Sequence, residues 1–144
     1  MEKLSVSLED YIEEIYIQVL KNGQAKVTDI ANELKVKKAS VTGALNILST
    51  KKLINYAPYS PITLTSEGEK IAKNILTKHE NIASFFVEVL GAEKDEALEL
   101  ACKMEHIVSE KIFGNMIKLT NYIKTMLKKI LKTCMKTIKN LLLC

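Results

Sequence analysis

At 144 residues, with 47% hydrophobic and 26% charged content, the chain has room for one moderate core or two small domains and reads as an ordinary globular protein. No run approaches about eighteen apolar residues and the N-terminus carries no apolar signal core, which argues against a membrane partner or export and predicts a cytoplasmic protein. The formal net charge of +4 hides a split: residues 1–110 hold 13 Lys against 17 acids, residues 111–144 hold 8 Lys and no acid, and Arg is absent throughout.

Lysine is a point charge without the planar fork that reads guanine, so phosphate anchoring is easier to derive from this composition than base readout. The 3 cysteines, Cys102, Cys134 and Cys144, are an odd number in a chain with no export signal, which points away from a disulfide framework.

In chain order, residues 8–20 place Leu8, Ile12, Ile15, Tyr16, Val19 and Leu20 at helical spacing, with Ser7 as a cap and Asn22-Gly23 as a stop. Residues 28–34 predict a short second helix capped by Thr28, residues 35–38 a turn, and residues 39–53 a third helix with Val41, Leu45 and Leu48 inward. Residues 54–65, bearing Tyr56, Pro58, Tyr59 and Pro61, predict a small two-stranded wing. Ser66 and Glu69 then form a capping box for a long helix to about residue 90, closed by Gly91. A helix over residues 95–113 and a Lys-rich amphipathic stretch over 115–142 complete the chain. The fold class is therefore mainly α: an N-terminal winged helix-turn-helix domain (1–70) followed by an all-helical domain (71–144).

Two short helices, a tight turn and a Ser/Thr-bearing third helix match a helix-turn-helix. Ser40, Thr42, Gly43 and Asn46 face outward on the third helix, Lys26, Lys37 and Lys38 lie at its approach, and Tyr59 lies in the wing. A three-helix core with a solvated lysine face would share the helical pattern; the wing behind the third helix favours double-stranded DNA.

Cys102, Glu105 and His106 fall at i, i+3 and i+4, so on a helix they share one face and offer thiolate, carboxylate and imidazole together, donors suited to divalent first-row metals. Asp10 and Glu13 pair at i, i+3 near the N-terminus, and His79 is the other histidine. The plain alternative makes Cys102 a small core residue, with Glu105 and His106 pairing locally. Cys102 and His106 as nucleophile and base would be an enzyme, but both lie within one helical turn and no orienting partner is evident, so no enzyme is expected.

Taken together, Glu9-Asp10-Tyr11-Ile12-Glu13, Val27-x-x-Ile30-Ala31, Ser40-Val41-Thr42, Leu64-Thr65-x-x-Gly68, Lys78-His79-Glu80 and Cys102-x-x-Glu105-His106 resemble the iron- and manganese-dependent repressors of the diphtheria toxin repressor and manganese transport regulator family, over roughly residues 5–120. The resemblance implies a homodimer that binds a palindromic operator, with Asp10, Glu13, His79, Cys102, Glu105 and His106 as ligands of Mn(II) or Fe(II). Asp10 is manganese-like and Cys102 iron-like. Ala83 and Leu98 stand where the iron branch has ancillary ligands, which implies that this ancillary site is missing. A metal-independent winged-helix regulator with a structural metal site is the alternative function. The Lys-rich tail is expected to pack on the dimerisation domain; a membrane-surface helix and DNA backbone contact are the other readings.

Overall fold

The computed structural model describes residues 4–57 and 60–142, with side chains to residue 135. The chain divides into two compact units, residues 1–77 and 78–144. The boundary expected at 70/71 falls inside a helix that continues from one unit into the next.

In the first unit, α1 (Val6–Asn22), α2 (Val27–Glu33) and α3 (Lys38–Thr50) precede strands β1 (Ile54–Asn55) and β2 (Thr63–Leu64). Helix α1 starts earlier than expected: Ser5, not Ser7, is its N-cap, its side chain accepting from the Leu8 N–H. Gly23 ends it in the left-handed conformation, its N–H donating to the Val19 carbonyl at 2.8 Å. Helix α2 begins one residue early, with Lys26 rather than Thr28 at the N-cap position and no side-chain cap. Ile12, Ile15, Ile30, Val41, Leu45, Leu48 and Ile62 are fully buried together, so this unit carries its own core.

Helices α2 and α3 end in the same way. Lys35 N–H bonds to Asn32 O and Val36 N–H to Ala31 O after α2; Lys52 N–H bonds to Ser49 O and Leu53 N–H to Leu48 O after α3. These are Schellman closures, and Lys35 (φ 53°) and Lys52 (φ 59°) occupy the left-handed position where glycine is usual.

The wing is antiparallel, pairing Ile54 with Leu64 and Asn55 with Thr63. Ala25 adds a bridge to Ile62, with N–H···O distances of 3.0 and 3.3 Å, which ties the α1–α2 connection to the wing. The next helix, α4 (Ser66–Leu90), is capped by Thr65 rather than by the expected Ser66 box: the Thr65 hydroxyl accepts from the Gly68 N–H at 3.1 Å and donates to the Lys52 carbonyl at 2.8 Å. Gly68 permits this approach, because a Cβ there would lie 1.9 Å from the Leu53 carbonyl oxygen.

The second unit contains the later part of α4, then α5 (Lys94–Met104) and α6 (Glu110–Leu142). Gly91 (φ 71°) ends α4 as expected. The single helix expected over residues 95–113 is two helices: α5 stops at Met104 and α6 begins at Glu110. Ser109 accounts for the restart, its hydroxyl accepting from the Ile112 N–H at 3.3 Å. Ile82, Ala83, Ala101 and Met116 form the small core of this unit, flanked by Phe85, Phe86, Met104, Val108 and Phe113. On α6, Met116 and Thr120 are buried and Lys124 pairs with Glu88 of α4 at 2.6 Å, whereas Leu119, Tyr122, Leu127, Ile130, Leu131 and Met135 are exposed in the single chain. The tail side chains from residue 136 onward lie outside the described residues.

Gly68→Ala is expected to destabilise the first unit by about 3 kcal/mol, because backbone rather than a flexible side chain must yield. Denaturant unfolding of wild type and variant measures this; equal stability would contradict the close approach.

Candidate metal centre and nucleic-acid interface

The break between α5 and α6 shapes the chemistry of the second unit. Asp95 and Glu96 in the first turn of α5 and Lys103 in its last complement the helix dipole. The helical ladder runs on past Met104, with Glu105 N–H bonded to the Ala101 carbonyl and Val108 N–H to the Met104 carbonyl, both at 2.9 Å, while Ile107 N–H makes a tighter i, i+3 bond to Met104 O at 3.0 Å. Glu105 and His106 sit in the turn after α5, whereas Cys102 is on the helix and exposed. Glu105 nevertheless keeps right-handed helical φ and ψ (−57° and −30°), so it stays in helical register with Cys102.

The Glu105 side chain is 0% exposed and that of His106 is 4% exposed. One carboxylate oxygen, Oε2, lies 2.8 Å from His79 Nδ1, and the other, Oε1, lies 3.2 Å from His106 Nε2. Oε1 is buried and accepts no hydrogen bond from any described residue. A buried carboxylate oxygen without a donor forfeits solvation, and a cation is the partner that restores it. Nitrogen and oxygen donors converging in this way suit a divalent metal. His79 is supplied by α4, one residue after Lys78, whose Nζ contacts Glu110 at 2.6 Å and lies 5.7 Å from the Phe113 ring centroid. Lys78 thus touches the start of α6 from the same stretch of α4 that presents His79, through an ion pair whose acid is largely exposed.

Asp10 and Glu13 are on α1 in the first unit, partly buried and three residues apart. Beside them lies an arrangement that the apolar stripe did not reveal. Gln18 Nε2 donates to Glu14 Oε1 at 2.7 Å, and Gln18 Oε1 accepts from the Lys26 N–H at 3.3 Å. Both side chains are buried, and they connect α1 to the start of α2. The available signal was Tyr11, Glu14 and Gln18 at i, i+3 and i+7, a second face beside the apolar one.

On the candidate DNA-reading side, Lys26, Lys37, Lys38, Ser40, Gly43 and Asn46 are exposed. Thr42 is only partly exposed, and its hydroxyl donates back to the Lys38 carbonyl at 3.1 Å. Tyr59 lies outside the described residues. Ile47, not singled out by the sequence, is 48% exposed on α3.

Comparison with known proteins matches residues 3–62 to the iron dependent repressor N-terminal DNA binding domain and residues 65–129 to the iron dependent repressor metal binding and dimerisation domain. An HTH-type transcriptional regulator of Methanocaldococcus jannaschii is 43% identical over 110 residues, covering 76% of this chain and 88% of the relative. The regulator MntR of Bacillus velezensis is 32% identical over 136 residues, 93% of this chain and 95% of its own. Among solved structures, the T. acidophilum regulator IdeR superposes with a TM-score of 0.73 at 26% identity, over 84% of this chain and 56% of that one. The manganese regulator SloR gives 0.70 at 27% identity, over 80% and 54%. The chain thus spans about half the length of these two solved relatives.

Burial raises the Glu14 carboxyl above its ordinary value, Gln18 lowers it by hydrogen bonding, Glu33 raises it and Lys21 lowers it. The folded state therefore holds this proton more tightly than the unfolded chain. Stability from Glu14 is complete below the unfolded carboxylate value and is lost as pH rises through the raised folded one. Glu14→Gln keeps an oxygen to accept from Gln18 and removes the buried charge. Its expected effect is higher stability than wild type at neutral pH, with the gap closing towards pH 4; denaturation across pH would show no such convergence if the charge were immaterial.

Proposed function

This chain belongs to the iron-dependent repressor family of metal-dependent, DNA-binding transcriptional regulators, and on that footing we propose that it is a homodimeric repressor that senses Mn(II) or Fe(II) and controls metal-uptake genes. The observation that carries the metal half of this reading is Glu105, a buried carboxylate between two imidazoles with one oxygen lacking a donor.

The proposed ligand set is His79, Glu105 and His106 of the second unit, with Asp10 and Glu13 of the first and Cys102 as a thiolate donor. The resemblance of these positions to the family's motifs supports the set beyond the three residues that meet in the second unit. A bound divalent ion supplies the charge that lets several carboxylates share one site. Carboxylate and imidazole donors dominate and suit Mn(II) and Fe(II), whereas a thiolate adds softness; manganese is the favoured signal, with Fe(II) next.

The protein's own residues do the rest. Glu105 is held at the C-cap of α5, its N–H bonded to the Ala101 carbonyl. Lys78 touches the start of α6, and Glu14 with Gln18 links α1 to the helix-turn-helix. In a dimer the two α3 helices meet a palindromic operator, with half-sites about 34–36 Å apart or a multiple of that. Lys26, Lys37 and Lys38 neutralise phosphates there, and Ser40, Thr42, Gly43 and Asn46 face the duplex.

Mn(II) or Fe(II) is expected to tighten operator binding by about 5–150-fold. Asp10→Ala and Glu105→Ala are each expected to abolish that gain while leaving metal-free binding unchanged. Titration of labelled operator with and without metal tests this; equal affinity in every arm supports the metal-independent regulator instead. Cys102→Ser is expected to weaken Co(II) or Zn(II) binding more than Mn(II) binding, as calorimetry would show; an equal effect on all three ions removes the thiolate from the set.

A further inference from the structure

Two features of the helix-turn-helix run against what its fold would choose. Gly43 lies inside α3 with an ordinary helical backbone, and a Cβ added there would meet nothing within 4 Å. Alanine would make a more stable helix at that position. Lys35 and Lys52 occupy left-handed positions where glycine would be more comfortable. Glycine stands where the fold has no use for it, and lysine stands where the fold would prefer glycine.

Ile47 is the third departure. It is 48% exposed one turn after Gly43, whereas Val41, Leu45 and Leu48 on the opposite face are fully buried. Ala39, Gly43 and Ile47 follow one another at i, i+4 and i+8, all exposed, along one line of α3. Asn46, Thr50 and Lys51 join Ile47 around a shallow depression. No acidic residue occurs between Lys35 and Lys52, while Lys35, Lys37, Lys38, Lys51 and Lys52 flank the line at both ends. An apolar strip bordered only by positive charge fits a polyanion that carries apolar groups between its phosphates.

We infer that Ala39, Gly43 and Ile47 form an apolar reading edge for the 5-methyl groups of thymine in the major groove. Gly43 lets the duplex approach the α3 backbone closely, and Ile47 makes the principal methyl contact. Apolar contact with the thymine methyl is direct readout that needs no arginine, which this chain lacks. The flanking lysines supply attraction without sequence preference. This inference rests on the DNA-binding reading above and adds which base feature is read and by which residue.

The test uses the full chain with Mn(II) to enrich a randomised duplex pool. Affinities are then measured for the enriched duplex and for versions in which single thymines become deoxyuridine, which removes only the methyl group. At one or more thymines in each half-site the exchange is expected to weaken wild type about fourfold, the worth of one buried methyl group. Ile47→Ala should be nearly indifferent to the same exchange. Gly43→Ala should raise the unfolding midpoint yet weaken binding of the enriched duplex about tenfold, with an unchanged salt slope. Deoxyuridine tolerated everywhere by wild type, an equal penalty in Ile47→Ala, or full affinity in Gly43→Ala would overturn the inference and leave DNA binding intact. Failure of the Mn(II)-loaded chain to enrich any duplex would remove the DNA-binding reading itself, and this inference with it.

Discussion

A carboxylate taken out of water must be given a partner, and Glu105 sets that demand for the second unit. Its side chain is fully buried, His79 satisfies one oxygen, and the other faces His106 with no donor. Leaving a buried acceptor unsatisfied costs about 1–3 kcal/mol, and more for a charged one. A fold concerned only with stability would replace Glu105 with an apolar residue of similar size. The local chain is built to keep it. Helix α5 ends one residue before it, the turn brings His106 alongside, Ser109 starts the next helix, and Lys78, beside His79, meets Glu110 at that start.

The first unit shows the opposite economy, since its polar groups are closely satisfied. Thr65 serves as acceptor for Gly68 and donor to the α3–β1 turn, Ala25 pairs with Ile62, and Glu14 and Gln18 bond each other and the backbone of Lys26. These contacts make a stiff scaffold that carries α3. Stiffness matters for a reader of DNA, because reading a duplex at two half-sites requires helices that hold their geometry without further ordering on contact.

Much of this was legible in the sequence. The helix-turn-helix, the wing and the end of α4 at Gly91 followed from apolar period, turn residues and glycine placement. The departures have identifiable physical causes. Ser5 and Thr65 took the caps expected of Ser7 and Ser66, because neighbouring hydroxyls are equivalent in a pattern and only backbone geometry chooses between them. The break at 105–109 was hidden because the apolar period continues through it, from Ala101 and Met104 to Val108 and Phe113. Ser109-Glu110 was the readable signal, a cap followed by an acid in the first turn. Of the proposed ligands, Glu105 and His106 come together with His79, which sequence spacing alone could not provide since 26 residues separate His79 from Glu105. Ile47 was not singled out, although it follows the outward-facing Gly43 by four residues and so falls away from the line of Val41, Leu45 and Leu48.

The exposed position of Cys102 sharpens the question of metal choice. Selectivity among divalent ions comes from donor type and geometry rather than from affinity order, which favours the tighter-binding ions at almost any nitrogen and oxygen site. The buried side chains here are carboxylate and imidazole, and Cys102, the soft donor of the proposed set, is exposed on the helix that precedes Glu105. Burial fixes the hard donors, because the Glu105 and His106 side chains are almost wholly enclosed by protein. In the proposed ligand set the hard oxygen and nitrogen donors Glu105 and His106 are buried, and the one soft donor, Cys102, is exposed.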